Sequence, residues 1–278
     1  MEKFTTVEGL KGALAARKGS SVGLVPTMGA LHDGHVSLVR RARAENDTVV
    51  VSVFVNPTQF NDKNDLRNYP RTPEADLEVL RKAGADIVFM PTVEEVYPEP
   101  DTRVFDFGQL DKVMEGATRP GHFNGVGQVV SRLLELVKPD RAYFGEKDFQ
   151  QIAVIKELVR QLAIPVQIVE CPIVREADGL ALSSRNLLLT AEHRAAAPMI
   201  HAAMQAEAET AGTKSVEETE RDVIARVEKS PLLKVIYFQL VDEDTLQPVK
   251  DWKSAAHVRG CIAVQAGEIR LIDNLRFL

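Results

Sequence analysis

The stretch Val22-Gly-Leu-Val-Pro-Thr-Met-Gly-Ala-Leu-His-Asp-Gly-His-Val-Ser-Leu-Val-Arg-Arg-Ala-Arg-Ala44 decides the fold. It opens on a short apolar run, Val22 to Pro26, crosses a turn containing glycine, and continues with apolar residues at helical spacing. A buried strand that runs through a turn into an amphipathic helix is the first half of a βαβ unit. The pattern then repeats. Thr48 to Val55, Asp86 to Met90, Arg141 to Phe144 and Val166 to Cys171 are nearly continuous in Val, Ile, Phe or Leu, as strands covered on both faces are. Between them, His35 to Ala44, Pro73 to Ala83, Val126 to Val137 and Phe149 to Leu162 carry apolar residues three and four apart. Thr72-Pro73 reads as an N-cap followed by proline at the first helical position, and Lys138-Pro139-Asp140 as a helix stop. The expected fold is α/β, a Rossmann-like parallel sheet with helices on both faces.

After about Arg175 the texture changes. Ala191 to Ala211 is Ala-rich and helical, Gly212 stops it, and Ser215-Val-Glu-Glu218 reads as a capping box. From Lys234 to Leu278, strand-like runs are separated by the turn-like Asp242-Glu-Asp-Thr245 and Ala266-Gly-Glu268. A larger domain over 1–175 and a smaller C-terminal α+β domain over 176–278, with a short antiparallel sheet, follow from this division.

Composition bounds the function. The 278 residues, 45% hydrophobic and 27% charged, are those of an ordinary globular protein and exclude disordered or collagen-like chains. With 34 basic against 40 acidic residues the net charge is −6, so no broad footprint for nucleic acid exists and an anionic ligand needs a local cationic pocket. The two cysteines, Cys171 and Cys261, neither build a disulfide scaffold nor show zinc spacing. Apolar runs fall short of the ~18 residues that cross a bilayer, and the start lacks a signal pattern, so a cytoplasmic protein without membrane contact is expected.

Chemistry concentrates at strand ends. In an open parallel sheet, ligands bind beyond the carboxyl ends of the strands, where a helix N-terminus offers unpaired N–H groups and about half a positive charge. Met28 to His35 occupy that position, and His32 and His35, three apart, can face one phosphate. A zinc half-site, or a capping Asp33 beside two incidental histidines, are the competing readings. Phe54-Val-Asn-Pro-Thr-Gln-Phe60 places Asn56 and Gln59 past the next strand, where amides suit a hydroxy-acid, or merely a polar turn. Gly145-Glu-Lys-Asp148 sets Lys147 at a strand-to-helix junction as a cation for phosphate, with Asp148 as cap or ligand contact and Gln151 one turn on. In Leu182-Ser-Ser-Arg-Asn186, two hydroxyls and a guanidinium form a phosphate clasp or an ordinary Ser-rich turn. Arg119-Pro-Gly-His-Phe-Asn-Gly125 reads as a Gly-rich loop, able to close over a site or to lie on the surface. Neither a G-x-x-x-x-G-K-[ST] loop nor a G-x-G-x-x-G fingerprint is present.

These segments in this order, together with Tyr69-Pro-Arg-Thr72 and Leu271-Ile-Asp-Asn274, resemble the pantoate–β-alanine ligase family over nearly the whole chain. The His-x-Gly-His of residues 32–35 alone points only to the wider nucleotidyltransferase superfamily, and a nucleotidyltransferase for another small substrate or a non-catalytic nucleotide-binding module are the alternatives. Thr58 and Asn124 depart from the family's commoner Met and Arg. The resemblance implies ATP-dependent condensation of pantoate with β-alanine through a pantoyl-adenylate, with Mg²⁺, in a cytoplasmic homodimer. It implies that Met28, Gly29, Ala30, Leu31, His32, Asp33, Gly34 and His35 form the ATP turn, with His35 the proton donor and His32 its companion. Gly145, Glu146, Lys147, Asp148, Val174, Leu182, Ser183, Ser184 and Arg185 complete the nucleotide site. Catalysis falls to His32, His35, Lys147, Ser183, Ser184 and Arg185. Gln59 and Gln151 hold pantoate, Gln59 also borders β-alanine, and 176–278 serves as a lid. The metal ligands are left unassigned.

Overall fold

In the computed structural model, which describes residues 1–278, six parallel strands form one sheet. They are β1 (Glu2–Phe4), β2 (Val22–Thr27), β3 (Thr48–Val53), β4 (Ile87–Phe89), β5 (Arg141–Gly145) and β6 (Gln167–Cys171), in the order β1-β4-β3-β2-β5-β6. Register runs from Val22 against Thr48 to Thr27 against Val53. Leu24, Val25, Val49, Val50 and Val51 are wholly buried, which is why these strands read as continuous apolar runs. Val25, Val49, Val51 and Val88 pack with Leu38, Val39 and Ala42 of the helix Asp33–Glu45 and Leu80 of the helix Pro73–Ala83. Chain order runs outward from β2 to β3 on one side, while β5 lies against its other side. The crevice of such a sheet opens at this reversal.

The expected helices and strands form, with differences at their ends. β1 lies outside the expected set because three residues at a sheet edge show no period. Helix Asp33–Glu45 starts two residues before His35, and the helix that leads into β5 is His122–Val137, so Val126 is not its start. Arg119–Gly125 is therefore not a loop throughout: Gly121 is the N-cap, and His122 to Gly125 are the first helical turn. Thr72 stands at the N-cap of Pro73–Ala83, but its side chain makes no capping bond; the hydroxyl donates to Asp76 Oδ1 instead, at 3.1 Å. The Ala-rich stretch divides at Pro198 into Ala191–Ala196 and Met199–Ala208, because proline supplies no N–H to continue the helix.

Two compact units divide the chain. The first comprises Met1–Phe107, Arg119–Glu146 and Gln151–Pro172, the second Gly108–Thr118, Lys147–Gln150 and Ile173–Leu278. In the second unit, β7 (Leu233–Asp242), β8 (Val258–Ala266) and β9 (Ile269–Arg276) form an antiparallel sheet in that order, and the β8–β9 hairpin turns at Gly267. Helices Met199–Ala208 and Val216–Val227 cover it, burying Met204, Val223, Leu240, Ile262 and Val264 together. The expected capping box is present: Ser215 Oγ accepts the Glu218 N–H at 3.1 Å, and Glu218 Oε2 accepts the Ser215 N–H at 2.9 Å. The two short segments join this unit through side chains. Gln150 donates to the carbonyls of Leu110 and Val113 at 2.8 and 2.9 Å and accepts the Glu115 N–H at 2.9 Å. The buried Glu115 carboxylate in turn accepts from Tyr237 OH, at 2.9 Å, and from Arg270.

Candidate active site

The turn after β2 is built around a residue from a different helix. Gly29 has φ of +84° and a Cβ there would stand 3.0 Å from Asp76 Oδ2, so glycine is demanded by the turn's own packing. Asp76, buried on helix Pro73–Ala83, accepts the Ala30 N–H at 3.0 Å and the Leu31 N–H at 2.8 Å. Thr27 Oγ1 takes the Gly29 N–H at 3.3 Å and donates to the Ser52 carbonyl at 2.7 Å. Three successive amides are thereby held before the helix begins. Sequence reasoning missed Asp76; its signal was an acid in the first turn of a helix that already had a threonine for a cap.

His32, not Asp33, caps the next helix. His32 Nδ1 accepts the Gly34 N–H at 3.2 Å, and His35 Nδ1 accepts the His32 N–H at 3.3 Å, a capping box made of two imidazoles. Their rings lie 4.1 Å apart between centroids. Because each Nδ1 accepts a hydrogen bond, the ring proton of each neutral imidazole resides on Nε2. Asp33 sits exposed at the first helical position, where its charge favours the helix.

Gln59 is in contact with this turn. It lies on the 3-10 turn Pro57–Gln59 after β3; its Nε2 is 3.4 Å from Met28 Sδ, and its Oε1 accepts from Asn56 Nδ2 at 3.1 Å. Asn56 is buried and also takes the Tyr97 hydroxyl at 3.1 Å, and burial pushes the Tyr97 phenol up to about 12. Helix His122–Val137 presses on the turn where it carries Gly125: a Cβ there would be 2.3 Å from the Thr58 carbonyl. The Gln59 carbonyl accepts from His122 Nδ1 at 2.8 Å and Arg119 at 3.4 Å. Asn124 ties the same helix to the chain before it, accepting the Phe105 N–H at 2.9 Å and donating to the Arg103 carbonyl at 3.2 Å. Thr58, the other departure, donates to Asn56 Oδ1 at 3.1 Å. Gln151, on helix Phe149–Leu162 after β5, is half-buried and makes no side-chain hydrogen bond within the chain.

The remaining cations gather in the second unit. Lys147 lies in the short turn Glu146–Asp148 that follows Gly145, its ammonium 3.9 Å from Asp148 Oδ2. Asp148 makes no capping bond to the following helix. Val174 and Leu182 pair through a hydrogen bond of 3.0 Å, closing a small hairpin whose exit delivers Ser183, Ser184 and Arg185 into the 3-10 helix Ser184–Leu188. Ser183 Oγ caps that helix, accepting the Arg185 N–H at 3.3 Å, while Ser184 is buried and Arg185 half-buried. The Asp273-Asn274 pair, present in the sequence as a family motif without a role, reaches both groups: Arg175 bonds Asp273, and Asn274 bonds the Lys147 carbonyl. No group of three or more His, Cys, Asp or Glu side chains is placed to hold a metal ion.

A family model described as pantoate–β-alanine ligase matches residues 2–276. Pantothenate synthetase of Porphyromonas gingivalis is 57% identical, with 100% of this chain and 99% of that protein covered, and the one from Bacteroides thetaiotaomicron is 55% identical at the same coverage. Among solved structures, pantothenate synthetase from Thermus thermophilus has a TM-score of 0.94 at 49% identity, covering 100% of this chain and 99% of that one. Pantoate–β-alanine ligase from Francisella tularensis, described as complexed with beta-gamma ATP and beta-alanine, has a TM-score of 0.85 at 34% identity, covering 100% and 98%. Agreement of motif order, fold and whole-length similarity leads to one conclusion: the chain belongs to the pantoate–β-alanine ligase family.

Proposed function

We propose that this chain condenses pantoate with β-alanine in two steps driven by ATP. The observation that carries the reading is the contact between Gln59 and Met28, which joins an amide suited to a hydroxy-acid to the imidazole-capped turn suited to phosphate. In the first step the pantoate carboxylate attacks the α-phosphorus, the bond to the bridging oxygen breaks, and pyrophosphate leaves. Two anions meet and more charge gathers on the leaving group, so preorganised donors set the rate. His32 and His35 donate hydrogen bonds from Nε2, with His35 directed to the leaving phosphate oxygen, where the charge gathers. The helix N-terminus adds its dipole, and Lys147, Ser183, Ser184 and Arg185 bind phosphate oxygens. Gly145, Glu146, Asp148, Val174 and Leu182 line the nucleotide. Gln59 and Gln151 bind the pantoate hydroxyls and carboxylate as neutral groups, avoiding the cost of a buried charge.

In the second step the neutral amine of β-alanine, bound beside Gln59, attacks the acyl carbon; the bond to the adenylate oxygen breaks, AMP departs, and the nitrogen gives up its extra proton to the departing phosphate or to solvent. Water must be excluded from the mixed anhydride, a task we assign to region 176–278 as a lid. The residues present do not fit a resident metal, so Mg²⁺ is read as arriving with the triphosphate. The homodimer and the cytoplasmic location rest on the family; no helix is long and apolar enough to cross a membrane. Incubation with ATP, Mg²⁺, pantoate and a panel of amines, following AMP and pyrophosphate, tests the reading. Pyrophosphate should appear with pantoate alone and AMP should be released fastest with β-alanine; AMP retained on the product would overturn it.

A further inference from the structure

Lys147 is a flexible cation whose usefulness depends on where its backbone is held. Its anchor comes from β9. Asn274, 2% exposed, donates from Nδ2 to the Lys147 carbonyl at 3.0 Å and accepts at Oδ1 from Arg259 at 2.7 Å. Arg259 has only donors, so the amide is oriented with its oxygen toward Arg259 and its nitrogen toward the carbonyl. A carboxylate or a hydrocarbon satisfies one neighbour at most. Register explains the meeting: Asn274 pairs with Cys261 and Arg259 with Arg276, which makes Arg259 and Asn274 diagonal neighbours on one face. Two residues past Lys147, the Phe149 ring lies under the same guanidinium, with Cζ 4.2 Å from its centroid. The Lys147 turn is thus gripped at two points by β8 and β9.

The same dipeptide also reaches the segment that leads into the Ser183–Arg185 turn. Asp273 Oδ1 accepts the Asn274 N–H at 2.8 Å, and its two oxygens receive Arg175 at 2.6 and 3.0 Å. Arg175 also donates to the Asn274 carbonyl at 3.3 Å and pairs with Ala181, two residues before Ser183. We propose that Asn274 is a positioning residue for Lys147, and that Asp273-Asn274 holds the Lys147 turn and the Ser183–Arg185 turn in one fixed register for the nucleotide. This rests on the ligase reading above. Each is proposed to act through the groups it holds.

The test is a double-mutant cycle read by ATP–pyrophosphate exchange with pantoate. Asn274→Asp keeps the acceptor for Arg259 but turns a carboxylate oxygen onto the Lys147 carbonyl, and Asn274→Ser removes both contacts without adding charge. Each should lower the exchange kcat by about 10- to 100-fold, as misplacement of a catalytic group does. The KM for pantoate should stay within about twofold, because its glutamines hang on other elements. Introduced into Lys147→Ala, each should cost no more than about a further twofold. A role in stability alone predicts the same loss in both backgrounds, and that additive result overturns the proposal, as does full exchange in both single variants. Absence of exchange in the wild-type protein would instead remove the ligase reading itself.

Discussion

His32 and His35 hold each other's place: one imidazole caps the turn that the other closes, with Nδ1 acceptors at 3.2 and 3.3 Å. The fold therefore uses the Nδ1 side of each ring, and the proposed chemistry would use the other. Separating them is possible, since asparagine places an acceptor near the Nδ1 position and nothing at Nε2. His35→Asn should keep the thermal transition near wild type and lower ATP–pyrophosphate exchange by ~100- to 1,000-fold, the effect of removing one preorganised donor. His35→Ala should show the same kinetic loss plus about 1 kcal/mol of lost capping in urea denaturation. Wild-type exchange in His35→Asn would exclude His35 from the reaction.

Gln59 stands between Asn56, which fixes its oxygen, and Met28, which meets its nitrogen. Gln59→Ala should raise the KM for pantoate at least about tenfold while changing the KM for ATP little, since only uniform binding of one substrate is lost. Gly125→Ala should reproduce part of this from a distance, as its Cβ displaces the Thr58 carbonyl and with it the turn. Steady-state kinetics with each substrate varied decides; equal losses for both substrates would count against the assignment.

Asp76 carries the turn rather than the chemistry. Replacing it by alanine strips acceptors from the Ala30 and Leu31 amides, each unsatisfied group costing about 1–3 kcal/mol if buried. Asp76→Asn keeps one acceptor oxygen where two are used, so it should fall between wild type and Asp76→Ala in urea denaturation. Because Gly29 to Leu31 lead straight into His32, both variants should raise the KM for ATP more than that for pantoate. A stability loss without any change in ATP kinetics would show that the turn tolerates the movement.

The sheet was legible because its strands are buried on both faces and therefore announce themselves as unbroken runs, and Phe149–Leu162 and Pro73–Ala83 because their stripes face it squarely. Candidate chemistry could be assigned from sequence wherever a motif is contiguous, as in residues 28–35, 145–148 and 182–185. What escaped is held across the chain. Asp76 acts 46 residues from Ala30 and Asn274 acts 127 residues from Lys147, and periodicity records neither partnership. His122 escaped for a different reason: in a Gly-rich segment its burial and its bond to the Gln59 carbonyl depend on a helix that starts at that residue. The cysteines illustrate the converse. Counting excluded a disulfide scaffold, and the fold adds that both are buried, with burial pushing the Cys171 thiol up to about 11 and the Cys261 thiol up to about 12.

His201 gives the fold a measurable dependence on pH. Its Nδ1 is buried without a hydrogen bond, 3.9 Å from Asp273 Oδ2, and the Arg175 guanidinium stands beside that carboxylate. Burial first, and Arg175 second, lower its pKa from the usual 6.5, against a smaller opposing pull from Asp273. As pH falls below 6.5, the unfolded chain takes up this proton before the folded one does, so folding loses stability. Above 6.5 both states are neutral at this residue and the contribution is flat; below the folded pKa both are protonated and the loss is complete. His201→Gln removes the titration while keeping a polar side chain beside Gly179. Urea midpoints measured from about pH 5 to 8, the range in which histidine titrates, should therefore slope less steeply in the variant than in the wild-type protein, with the difference confined to the acid side of that range. Parallel slopes would mean that the ring finds water or a partner when it is charged.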